Sequence, residues 1–179
     1  MYRFVIALLL LLFLMALVAG PIVNYEHNKH RAEFVIIETP EMVAQRLALE
    51  AQRNRQLTCL ARNIYHEARG EGESGMRAVA TVTLNRSKSY EFPHDLCDVV
   101  FQKFHKKCQF SWYCDKRIGQ IVDTNSWNTS IRIARESMDG KTIDILDDVV
   151  YYHSTKVKPH WNKRFVVQIG NHKFYKEKV

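Results

Sequence analysis

The chain has 179 residues, 46% of them apolar and 25% charged, with a net charge of +7. The length allows one domain with appendages. Residues 24–57 carry five basic and five acidic side chains and residues 58–179 carry twenty and fourteen, so the basic excess lies in the C-terminal segment.

From Phe4 to Val23 runs a stretch of twenty residues without a charge. A helix of ~20 apolar residues spans ~30 Å, enough to cross a bilayer core. A cleaved signal peptide is the rival reading, with Arg3 as its basic start. Cleavage after Ala19 would put Leu17 where a small residue is wanted, and cleavage after Gly20 would leave Pro21 first. An uncleaved anchor over residues 1–23 is therefore expected. Arg3 on one flank and Lys29 with Arg31 on the other leave its orientation weakly specified.

Residues 24–57 read as a linker. Thr39-Pro40-Glu41 is an N-cap, a first-turn proline and an early acid, and it opens an amphipathic helix to Leu57. Thr58 then caps a second helix, which the spacing carries to about Arg69. On that helix Leu60, Ile64, Glu67 and Glu71 fall at i, i+4, i+7 and i+11, one apolar face interrupted by acids. Gly70 ends it, placing Glu67 in the last turn, where burial and the negative end of the helix dipole both oppose ionisation. Such a carboxyl suits a general acid, although a lone acid on an apolar face also fits a hydrogen-bonded structural residue. Glu71 is a second candidate acid. Were the helix to continue past Gly70, the pair would be neighbours, as in retaining glycosidases.

Gly70, Gly72 and Gly75 mark a loop, and Ser74 caps a helix over Gly75–Ser87 that is apolar around much of its surface. Residues 88–123 show no period. A further helix is expected over Ser126–Met138, a strand at Val149–Tyr152, and a hairpin of Phe165–Ile169 with His172–Tyr175 around Gly170-Asn171. Cys59, Cys97, Cys108 and Cys114 allow three pairings, of which Cys108–Cys114 with Cys59–Cys97 is the expected one. Four reduced thiols in a cytosolic protein, or a tetrathiolate zinc site, are the alternatives; the second lacks any C-x-x-C pair. Paired cysteines favour a domain outside the cytoplasm.

Other chemistries lack their motifs. His66-Glu67 is not followed by the second histidine of H-E-x-x-H, since position 70 is Gly. No G-x-S-x-G occurs, and His66, His153, His160 and His172 match no metal-ligand spacing. No metal or cofactor is expected. The basic surface suits an acidic wall polymer or anionic lipid, and without a zinc finger, basic recognition helix or single-strand platform no nucleic acid partner is expected.

Glu67-Ala68-Arg69-Gly70-Glu71, Ala78-Val79-Ala80, Leu84-Asn85-Arg86, Phe92-Pro93, Cys97, Gln109-Phe110-Ser111, Tyr152-His153 and Ile169 to Tyr175 occur in that order. Together they resemble the SleB/CwlJ-type cell-wall hydrolases over residues 58–177. The resemblance implies a mainly helical α+β, lysozyme-like domain with a small β-hairpin region. It implies cleavage of peptidoglycan between N-acetylmuramic acid and N-acetylglucosamine, as a lytic transglycosylase, with Glu67 as catalytic acid. Asn85, Gln109, Phe110, Ser111, Tyr152, His153 and His172 become candidate substrate-binding residues. A water-using muramidase and a non-catalytic peptidoglycan-binding protein are the alternatives. The expected whole is a single-pass inner membrane protein anchored by residues 4–23, with its N-terminus cytoplasmic and the domain at 58–179 periplasmic. No separate peptidoglycan-binding repeat domain of the kind found in the spore enzymes is expected. Bacterial wall remodelling and phage lysis both fit such a protein.

Overall fold

The computed structural model describes residues 38–115 and 119–178. The expected membrane anchor lies outside the described residues; among the described residues no helix is long and apolar enough to cross a membrane. Residues 44–179 form one compact unit and the described residues 38–43 belong to another.

Helix α1 spans Pro40–Ala68. Thr39 caps it as its sequence requires, its hydroxyl oxygen accepting from the Met42 amide at 3.3 Å. The second start expected at Thr58 does not occur. The Thr58 hydroxyl donates back to the Asn54 carbonyl at 2.9 Å, a bond available inside a continuous helix. Linker helix and motif helix are one element of 29 residues. Burial begins at Leu57, beyond which Cys59, Leu60, Ala61, Asn63, Ile64, Tyr65 and Ala68 are all buried. Each large apolar side chain among them contributes about 1.5–3 kcal/mol of transfer free energy.

Helix α2 spans Gly72–Lys88. Gly72, with φ +68°, takes the left-handed conformation at the junction between the two helices. Ser74 lies inside α2 and is not its cap. Glu71 holds the cap position but makes no capping bond, because its carboxylate is engaged elsewhere. The all-round apolar pattern of α2 is explained by its burial from Gly75 to Thr83. One side packs on α1 and on Ile133 and Ala134 of a later helix; the other meets Leu146, Val149 and Phe174.

The aperiodic stretch contains short elements. Asp95 caps α3 (Leu96–Val100), its carboxylate accepting from the Cys97 amide at 2.8 Å, and it also pairs with Arg55 of α1. A two-residue hairpin, β1 (Lys103–Phe104) with β2 (Lys107–Cys108), precedes α4 (Ser111–Cys114). Disulfides join Cys59 to Cys97 and Cys108 to Cys114, the expected pairing.

Helix α5 runs Thr124–Met138, begun by an Asp123 cap, and Asp144–Leu146 forms one 3₁₀ turn. The strand expected from Val149 starts two residues later: β3 is Tyr151–Ser154, preceded by buried Val149 and Val150. With β4 (Arg164–Ile169) and β5 (His172–Lys176) it makes an antiparallel sheet in the order β3–β5–β4, turned at Gly170 with φ +55°. The described architecture is α+β and mainly helical, with the sheet at the C-terminal end of the chain.

Candidate active site

Glu67 stands in the last turn of α1, half-buried on the face that Leu60 and Ile64 bury. It opens on a cleft of about 400 Å³. Gln109, Phe110 and Ser111, leading into α4, line the same cleft, as do Tyr152 and His153 of β3 and His172 of β5. Six of the seven residues expected to bind substrate are thus brought round Glu67 from three separate parts of the chain.

The surroundings of Glu67 favour its protonated form. Burial, first of all, raises the Glu67 carboxyl from its ordinary 4.5 to about 7, and the negative charge of Glu71 pushes the same way. The Tyr152 hydroxyl and the charge of Arg86 pull against them. Tyr152 donates to Glu67 Oε2 across 3.4 Å, a long hydrogen bond. Burial and the neighbouring Glu67 charge hold this phenol well above its ordinary range, so it remains a donor. Its ring lies edge-on to His172, centroids 5.0 Å apart, and against Phe174 behind it.

Glu71 has a different job. Its side chain is only 9% exposed, and Oε2 meets the Asn171 amide and His172 Nδ1, each at 3.1 Å. A Cβ on Gly170 would come within 2.5 Å of that oxygen, and one on Gly75 within 2.6 Å of the Glu71 Cβ. The carboxylate therefore sits in a slot that two glycines leave open, docking the hairpin turn onto the start of α2. It does not line the cleft with Glu67. A chain of contacts follows: Glu71 holds His172, the His172 ring braces Tyr152, and Tyr152 reaches Glu67.

Asn85 lies outside the cleft. Its side-chain amide donates to the carbonyls of Leu146 at 2.7 Å and Val149 at 3.0 Å, pinning the 3₁₀ turn and the approach to β3. One helical step of ~100° separates it from Arg86, and it is Arg86 that lines the cleft. Sequence reasoning missed this arginine. Its signal was faint: it follows Val82 and Thr83 of the buried face by four and three positions. Arg86 is 3% exposed; Nε donates to the Val150 carbonyl at 2.8 Å, and the guanidinium lies 5.2–5.6 Å from the ring centres of Phe92, Phe110 and Tyr152.

His66 and His153 are engaged by neighbouring rings. His66, beside Glu67 in sequence, points to another face and stacks on Trp112 with centroids 4.4 Å apart. Burial, with Arg69 and Arg62 adding, lowers its pKa to about 4, so it is neutral at physiological pH. His153 reaches Tyr175, its Nε2 at 2.9 Å from the phenol oxygen and the rings stacked.

A cell wall hydrolase family model matches residues 70–175, a span that begins just after Glu67 and includes Glu71, Arg86 and every cleft residue that follows. The spore cortex-lytic enzyme of Bacillus subtilis (strain 168) is 31% identical over 124 residues, 68% of this chain and 37% of that protein. That of Halalkalibacterium halodurans is 31% identical over 118 residues, 64% of this chain and 33% of that protein. The chain thus spans about a third of the length of these curated relatives. Among solved structures, the catalytic domain of the germination-specific lytic transglycosylase SleB from Bacillus anthracis aligns with TM-score 0.55 and 26% identity, over 68% of this chain and 93% of that one. The Bacillus cereus SleB catalytic domain aligns with TM-score 0.57 and 25% identity, over 69% and 91%.

Proposed function

Because this chain belongs to the cell wall hydrolase family, we propose that it cleaves peptidoglycan glycan strands, with Glu67 as the acid at the bond between N-acetylmuramic acid and N-acetylglucosamine. One observation carries the reading: a half-buried carboxyl with a pKa of about 7 faces a cleft of about 400 Å³. It holds a proton to give near neutrality, beside a phenol that steadies the anion once the proton has left.

The reaction we infer is a lytic transglycosylation in a lysozyme-like domain. Glu67 gives its proton to the glycosidic oxygen, the bond from C1 breaks, and N-acetylglucosamine departs with a free 4-hydroxyl. The Glu67 carboxylate then takes the proton from the muramic 6-hydroxyl as that oxygen bonds to C1. A 1,6-anhydro ring closes, no water is consumed, and the acid is regenerated. A retaining glycosidase instead needs a second carboxylate at the reacting carbon. The commitment of Glu71 to Asn171 and His172 favours the one-acid route. Gln109, Phe110, Ser111 and His153 are then the walls against which the strand lies, with Tyr152 and His172 supporting the acid.

Residues 4–23 tether the domain to the inner membrane with the catalytic part in the periplasm, a placement supported by their uncharged run and by the two disulfides. The exposed part of α1 before Leu57 acts as a spacer. The test of function is the full chain against Glu67→Gln on isolated sacculi, followed by turbidity. The wild type clears the suspension and the variant does not; equal clearing would overturn the assignment.

A further inference from the structure

Arg86 presents a donor without an acceptor at the edge of the proposed chemistry. It is buried, it lines the cleft, and among the described residues only its Nε finds a protein acceptor, the Val150 carbonyl; Nη1 is sealed without a partner, so Nη2, which has no protein acceptor among the described residues, is the donor left for the cleft. Among the described residues it makes no ion pair with Glu67, although both border the same cleft. A guanidinium offers a fork of N–H groups, and leaving them unmade in a buried place is unfavourable. The rings of Phe92, Phe110 and Tyr152 soften the isolated charge but supply no oxygen.

We propose that Arg86 recognises an N-acetyl carbonyl oxygen of the glycan, on a sugar at the bond that Glu67 protonates. The proposal rests on the glycosidase reading above and adds a specificity residue to it. Chemistry selects the group. In such a glycan the acetamido substituent is on C2, next to the C1 whose bond is broken, so a donor near the acid meets it first. Carboxylates of a peptide stem are many bonds further away. The walls suit an acetamide: Phe110 offers an apolar face for its methyl, and Gln109 and Ser111 offer polar atoms beside it.

The full chain is assayed on sacculi that are fully N-acetylated and on the same sacculi after chemical N-deacetylation. Losing a hydrogen bond to a charged group predicts that the wild type is slowed about tenfold or more on the deacetylated wall. Arg86→Gln and Arg86→Lys, checked for folding by circular dichroism, are slower on the acetylated wall and lose the discrimination, the ratio of rates moving towards one. Equal wild-type rates on the two walls overturn the proposal with no variant needed. A folded Arg86 variant that is slow on both walls but keeps the wild-type ratio also overturns it, since the arginine then acts only on Glu67 or on the fold. Glu67→Gln in the same assay separates the two readings: it reports on the acid, while the acetylation ratio reports on Arg86.

Discussion

The Tyr152 hydroxyl lies 3.4 Å from Glu67 Oε2, joining a strand residue to a helix-end residue 85 positions earlier. The contact opposes the dominant force on that carboxyl. Burial favours the protonated form that the proposed reaction needs at its start, and the phenol favours the anion that it would produce. Both demands are met by one site because the phenol itself stays protonated.

The first consequence is a pH profile. For the free enzyme kcat/KM falls as pH rises through about 7, the value to which burial brings Glu67. Tyr152→Phe removes a group that lowers the Glu67 pKa, so its falling limb lies at higher pH than that of the wild type. Initial rates of sacculus clearing between pH 5 and pH 9 read both, and an unmoved limb in the variant would count against the contact.

The same burial has a cost in stability, with a definite sign. Between the ordinary value of 4.5 and about 7, the native state keeps a proton that the unfolded chain has released. Stability from this group therefore falls as pH rises across that window, by an order of magnitude of 3 kcal/mol. Glu67→Gln removes the titration. Its stability in urea should exceed that of the wild type at pH 8 and match it closely at pH 4; a constant difference at both values would contradict the assignment.

Glu71 is predicted to act through the fold. Glu71→Ala leaves the Asn171 amide and His172 without their acceptor and should destabilise by about 1–3 kcal/mol in urea unfolding. Gly170→Ala places a Cβ against the same carboxylate at a residue with φ +55°, and should cost about 1 kcal/mol or more. The two changes should be less than additive, because each disrupts one contact. Glu71→Gln, which keeps an acceptor oxygen, should retain the wild-type products, whereas Glu67→Gln loses about 10²–10⁴ in rate.

The disulfides should differ in weight. Cys59–Cys97 closes a separation of 38 residues and ties α1 to α3, and its removal by serine substitution should cost about 4 kcal/mol by loop entropy. Cys108–Cys114 closes only 6 and should cost about 2 kcal/mol. Thermal unfolding of each double variant at fixed pH gives the order, which the loop lengths require to run that way.

Legibility followed distance along the chain. The Glu67 face was readable because helical spacing is local, and the hairpin because Gly170-Asn171 is a turn signal in itself. The α1 boundary was misread because a threonine can cap a helix or bond back within one, and nothing near Thr58 distinguishes these. Elements of two to five residues, such as β1, β2 and α3, are too short to carry a period. The role of Glu71 was hidden because its partners lie about a hundred residues away. Asn85 and Arg86 are adjacent in one motif, and only the packing of α2 reveals that the first pins backbone while the second reaches the cleft.

The central claim is that Glu67 alone supplies the acid and base of glycan cleavage. Mass spectrometry of the muropeptides released from sacculi by the full chain and by Glu67→Gln tests it most directly. Fragments with 1,6-anhydromuramic ends are expected from the wild type and essentially none from the variant. Release of those fragments by Glu67→Gln at the wild-type rate would contradict it.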